Sequence, residues 1–193
     1  MAYADGKVLL WINSLAGRFS PLDRVIEWVV SDYLIPVSLA LALVGLWFAG
    51  VDKQTRQRNQ IGVFVALSSM AISNLAVFVI NIVYFRPRPF VDHDLTRLFY
   101  PPTDSSFPAN AIAAVFGIAV AVWVINRRWG TILLLGAGLY GFARVYAGVH
   151  YPLDVIAGAL IGVVATFLVF KLKDFLEPIP TWVIKAVRIL SLA

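Results

Sequence analysis

Residues 143–154 read ARVYAGVHYPLD and join two apolar runs, 130–148 and 153–172, each near the length that crosses a bilayer. Arg144, His150 and Asp154 stand in the join. Charged groups are costly at membrane depth and persist there mainly where they serve a function. If the flanking runs are spans, this stretch is a turn at the mouth of a helical bundle, and its three polar residues are candidates for a site.

The composition supports spans. Hydrophobic residues make up 60% of the 193-residue chain, charged residues only 14%, and the mean hydropathy of +0.81 lies far above that of soluble domains. Further apolar runs fall at 29–50, 60–85 and 109–126. The expected fold is an all-α polytopic membrane bundle of five to six transmembrane helices, forming one domain over residues 1–193. The terminal segments read as interfacial helices. Val8, Leu9, Trp11, Ile12 and Leu15 are spaced for one apolar face, and Trp182, Val183, Ala186, Val187, Ile189 and Leu190 form another, opposed by Lys185 and Arg188. A secretory signal is the alternative at the N-terminus, but its apolar run is short and interrupted by Asn13. GALIG, residues 158–162, is a small-xxx-small pattern that permits close helix approach.

The chain has no cysteine and only two histidines, which excludes disulfides and argues against a multi-histidine metal cage, so no metal or cofactor is expected. The net charge of +5 comes largely from short clusters beside apolar runs, where it sets orientation in the bilayer; no nucleic-acid role is assigned. The clusters at 52–58, 126–128 and 171–173 are each separated by two spans, so they share one face, expected to be cytoplasmic. Arg144 lies 16 residues from Arg128, about 24 Å of helix, and so belongs to the opposite interface. By the same reasoning RPRP (86–89) and the start of the run at 109 also surface there.

Three segments therefore converge outside the cytoplasm. In VYFRPRPF, Pro87 and Pro89 end a helix and hold Arg86 and Arg88 at the membrane surface, as an anion clamp or as plain interfacial anchors. In SSFPANAIAA (105–114), a helix starts after Pro108, and the unpaired N–H groups of such a start can seat a phosphate. In the third, Pro152 opens a helix with Asp154 in its first turn, where the carboxylate can face His150, fix its tautomer and leave the other nitrogen as a base or nucleophile.

Together these segments resemble the type 2 phosphatidic acid phosphatase superfamily, whose motifs are K-x6-R-P, P-S-G-H and S-R-x5-H-x3-D. Within it, YFRPRPFV and SFP look like the bacitracin-resistance type of undecaprenyl pyrophosphate phosphatase. The resemblance covers roughly residues 60–172. It implies a cell-membrane enzyme, its site facing the extracytoplasmic side, that hydrolyses a lipid phosphate or pyrophosphate without metal. His150 would take the phosphoryl group, Asp154 would be its partner, and Arg144 and Arg88 would clamp the phosphate oxygens.

Departures from the motifs carry as much information. Asn81 replaces the lysine of the first motif, Ala143 the serine of the third, and Pro108-Ala109-Asn110-Ala111 aligns with P-S-G-H. Asn81, Pro108, Ala109, Asn110 and Ala143 are the expected substrate-binding residues, and Ala111 stands at the catalytic position where the family has its acid histidine. Alanine can neither donate nor accept a proton, and loss of one acid typically costs about 10²–10⁴-fold in rate. The implied chain is impaired or inactive, either as an engineered variant or as a natural relative. A lipid-phosphate binder or carrier without turnover is the alternative. His93, in FVDHD, is the other histidine that could supply a proton.

Overall fold

The computed structural model describes residues 2–176. These form eight helices and no strand: α1 (Ala2–Asn13), α2 (Ser20–Val30), α3 (Leu34–Phe48), α4 (Lys53–Val83), α5 (Pro89–Asp92), α6 (Asn110–Ile125), α7 (Arg127–Tyr146) and α8 (Pro152–Leu176). The C-terminal apolar stripe expected over 182–190 lies outside the described residues.

The run at 29–50 is not one helix. It breaks at residues 31–33, and α2 and α3 meet there at 50°. Pro36 explains the break, because in a continuous helix its ring would clash with the carbonyl of Asp32. Ser31 takes up the freed groups: its hydroxyl donates to the Trp28 carbonyl at 2.7 Å and accepts from the Leu34 N–H at 3.2 Å. Helix α4 starts earlier than expected, where Asp52 caps it by accepting from the Thr55 N–H at 2.8 Å. It ends before the RPRP segment, as the prolines require.

By length and hydropathy, α4 and α8 can each cross a membrane, and α2 with α3 can form a third, broken span. Among the described residues these two criteria thus pick out two or three of the five to six spans expected. Helix α6 is apolar but has only 16 residues, and α7 carries Arg127, Arg128 and Arg144. Both are nevertheless central to the bundle: α6 packs against α4, α7 and α8. The α6–α8 seam depends on the small-residue pattern, since a Cβ on Gly158 would lie 2.5 Å from the Ala109 carbonyl oxygen and one on Gly162 2.5 Å from that of Ala113. Backbones this close allow Thr166 Oγ1 to donate to the Gly117 carbonyl at 3.0 Å. The seam places the first turns of α6 and α8 side by side, where the Ala109 N–H donates to the Asp154 carbonyl at 3.1 Å.

Helix α1 is more than an interfacial strip. Trp11 is exposed, but Leu9 is fully buried against Val145 and Tyr151. Asn13 binds the Tyr146 and Thr96 carbonyls at 2.8 and 2.9 Å. The helix thus covers the turn between α7 and α8.

Candidate active site

Five pieces of chain meet at this end of the bundle: the segment 84–89, the loop leading to α6, the C-terminus of α7, the turn at 147–151 and the first turn of α8. Gly148 makes the turn possible, with φ at +72°, a conformation side chains disfavour. His150 follows it, 3% exposed, beside Arg88 at 5% and Arg144 at 4%.

The imidazole is held at both nitrogens. Nδ1 lies 2.9 Å from the Ser106 carbonyl oxygen, which can only accept, so Nδ1 carries the hydrogen. Nε2 therefore presents its lone pair, 3.2 Å from Arg88 Nη1. Burial, and then the charges of Arg88 and Arg144, push the His150 pKa well below the usual histidine value. Near neutral pH the ring is uncharged and Nε2 can act as a nucleophile or base.

Asp154 does not take the position expected of it. Its Oδ2 is 3.9 Å from Nδ1, because the Ser106 carbonyl already occupies the hydrogen-bonding site. Oδ2 instead accepts from Ser106 Oγ at 2.5 Å and from the Tyr151 N–H at 3.0 Å. Oδ1 accepts from Arg86 Nη1 at 2.5 Å. The carboxylate acts on the ring through Ser106 and by charge, not by a direct bond.

The two arginines are arranged differently. Arg88 is engaged at each of its three nitrogens: Nε and Nη2 donate to the backbone carbonyl and carboxylate of Asp104 at 3.0 and 2.7 Å, and Nη1 donates to the Val149 carbonyl at 3.2 Å. Arg144 donates through Nη2 to Asp32 at 2.5 Å and to the Tyr140 hydroxyl, while its guanidinium lies over the Phe99 ring. Its buried Nε has no hydrogen-bond partner among the described residues. A buried, unpartnered guanidinium N–H is the donor an incoming anion would satisfy.

Around the second motif, Pro108 and Ala109 are buried, Asn110 is exposed and Ala111 is half-buried in the first turn of α6. Ala143 is fully buried in an apolar cluster with Ala16, Val29 and Tyr146. Asn81 lies near the end of α4, with its Oδ1 unpartnered. His93 packs elsewhere, its ring 6.2 Å from that of Tyr151 and beside Gly6 of α1. Among the described residues, no three or more His, Cys, Asp or Glu side chains gather as a metal site would require.

Sequence reasoning missed Asp5, Asp32, Asp104 and Ser106 and left Arg86 as a surface group. Arg86 is mostly enclosed, its ion pairs to Asp5 and Asp154 spanning 2.8 and 2.5 Å. Asp32 carried a usable signal, being an acidic residue inside an apolar run. Ser106 acts partly through its carbonyl, which no residue identity reveals.

The PAP2 superfamily pattern matches residues 62–177, more than half of the chain. The chain belongs to the PAP2 superfamily. Among PAP2 relatives, the undecaprenyl-diphosphatase BcrC of Bacillus subtilis is 31% identical over 174 residues, covering 90% of this chain and 86% of the relative. An undecaprenyl-diphosphatase of Sulfolobus acidocaldarius is 37% identical over 165 residues, covering 84% and 71%. The crystal structure of Aquifex aeolicus LpxE superposes with a TM-score of 0.64 at 27% identity, over 86% of this chain and 93% of that one. That of a transmembrane PAP2-type phosphatidylglycerolphosphate phosphatase from Bacillus subtilis, at 22% identity, has a TM-score of 0.65 over 92% and 87% and supports the fold. The protein is thus a multi-pass membrane member of the PAP2 family.

Proposed function

We propose that this PAP2 protein hydrolyses a lipid pyrophosphate, with undecaprenyl pyrophosphate the preferred substrate, through a phosphohistidine on His150. The observation that carries the reading is the lone pair of Nε2, directed outward by the Nδ1 bond to Ser106, 3.2 Å from Arg88 and within the field of Arg144, whose Nε is unpartnered. The named activities of the Bacillus and Sulfolobus relatives support the substrate.

Phosphate oxygens enter between the guanidinium groups, which together with the start of α6 neutralise the charge that builds during transfer. Nε2 attacks the terminal phosphorus in line; the bond to the bridging oxygen breaks, and its electron pair leaves with the lipid monophosphate. The phosphoimidazolium keeps its Nδ1–H on the Ser106 carbonyl, and the nearby Asp154 carboxylate offsets its charge. Water then opens the phosphorus–nitrogen bond, returning the pair to Nε2 and releasing phosphate. Charge is handled by guanidinium groups, so no step calls for a metal. Ala111 cannot protonate the departing oxygen, so the chain is impaired relative to a site bearing histidine there.

The distribution of basic loops supports a site at the extracytoplasmic interface of the cell membrane, where an amphiphile's headgroup is presented while its tail stays in lipid. One domain serves this role. The test is phosphate release from undecaprenyl pyrophosphate by the purified protein in detergent with chelator, before and after Ala111→His. Metal-free release that rises with the histidine and vanishes with His150→Ala supports the reading. The alternative favoured by Ala111, a lipid-phosphate binder, predicts binding without turnover in both forms.

A further inference from the structure

Helix α1 lies outside the matched PAP2 region, yet it delivers a carboxylate to the back of the site. Asp5 has no side-chain exposure. Its Oδ2 accepts from Arg86 Nη2 at 2.8 Å, and its Oδ1 accepts from the Leu153 N–H at 3.0 Å, one of the unpaired donors at the start of α8. Arg86 continues the chain through Nη1 to Asp154, with its guanidinium 3.9 Å above the Tyr151 ring. The Arg86 backbone is fixed to the same loop: its N–H donates to Ser105 Oγ at 3.1 Å and its carbonyl accepts from the Ser106 N–H at 2.9 Å.

We propose that Asp5 and Arg86 are positioning residues of the active site, and that α1 is a working part of it. The inference rests on the phosphohistidine reading above. Asp154 does not touch the imidazole, so the geometry of His150 depends on where Ser106 is held. Ser106 in turn is held by the Asp154 carboxylate and the Arg86 carbonyl. Asp5 fixes both ends of this arrangement, by capping the helix that carries Asp154 and by orienting the guanidinium that bridges to it. A flat guanidinium can serve two carboxylates at once, whereas an ammonium on a flexible stem is a point charge. Small misplacements of a reacting group made at a distance can cost about 10²-fold in rate.

The test compares kcat and KM on undecaprenyl pyrophosphate for the full chain and for Asp5→Asn, Asp5→Glu, Arg86→Lys, Val169→Ala and Lys7→Ala. Asp5→Asn and Arg86→Lys are expected to lower kcat by about 10- to 10²-fold with KM within about twofold. Asp5→Glu should recover part of the loss. Val169→Ala opens the core of α8 away from the site, so it should lower the melting temperature while keeping kcat. Lys7→Ala, on the exposed face of α1, should change neither. Wild-type kcat in Asp5→Asn and Arg86→Lys would overturn the proposal, as would losses in kcat that follow melting temperature across the set. No turnover by the wild-type chain or by Ala111→His would instead overturn the reading on which it stands.

Discussion

Arg88 Nη1 and His150 Nε2 lie 3.2 Å apart, so the arginine donates to the lone pair that attacks phosphorus in the proposed reaction. The same guanidinium is braced from behind by Asp104. An anionic oxygen is a stronger acceptor for this donor than a neutral imidazole. In the proposed reaction, ligand binding would thus release the His150 lone pair as it engages Arg88.

Arg88→Lys keeps a charge but loses the fork that holds Asp104 and reaches His150. A drop of about 10²–10³-fold in kcat/KM is expected, the range for removing one donor to developing charge. Steady-state phosphate release on lipid pyrophosphate checks it; an effect on KM alone would show that Arg88 binds substrate without favouring the transition state.

His150 also predicts a pH dependence of stability. Its folded pKa is depressed by burial and by the two arginines, so the folded ring stays neutral while the unfolded chain takes up a proton near the ordinary value of 6.5. The unfolded state then binds more protons, and stability falls as pH drops below about 6.5 until the folded pKa is reached. His150→Gln cannot take up that proton. Its melting temperature in detergent should decline less than that of wild type between neutral pH and about pH 5.

Ala111→His should change selectivity as well as rate. A departing lipid phosphate is stable without a proton, whereas the alkoxide from a phosphomonoester is not, so a restored acid matters more for the monoester. We expect the monoester rate to rise by about 10²–10⁴-fold and the pyrophosphate rate by clearly less. Parallel assays on undecaprenyl pyrophosphate and undecaprenyl phosphate measure the ratio.

The seam beneath the site gives a structural prediction. A methyl on Gly158 would press on the Ala109 carbonyl, next to the bond joining Ala109 to Asp154. Gly158→Ala should destabilise the bundle by about 1–3 kcal/mol, the usual cost of overpacking, read as a lower melting temperature.

What could be read from the sequence follows the range of the physics involved. Hydropathy and proline are local signals, and they located α6, α7, α8 and the end of α4 within a few residues, while the start of α4 was set too late. Spacing then brought Arg88, Arg144, His150 and Asp154 to one end of the bundle, where they are found. The break before α3 was missed because hydropathy is blind to it, although Pro36 marks it sterically. The partners of the site were less accessible still. Asp5 and Asp32 reach Arg86 and Arg144 across 81 and 112 residues, and the group that orients His150 is a carbonyl, common to every residue type. The expected Asp154–His150 bond failed for that reason.

The most direct test of His150 as the nucleophile is to quench the protein during turnover of substrate labelled with 32P in the terminal phosphate. The account predicts protein-bound label that is stable to alkali, labile to acid, located at His150 and absent from His150→Ala. Turnover that continues in His150→Ala, or label found on another residue, would contradict it.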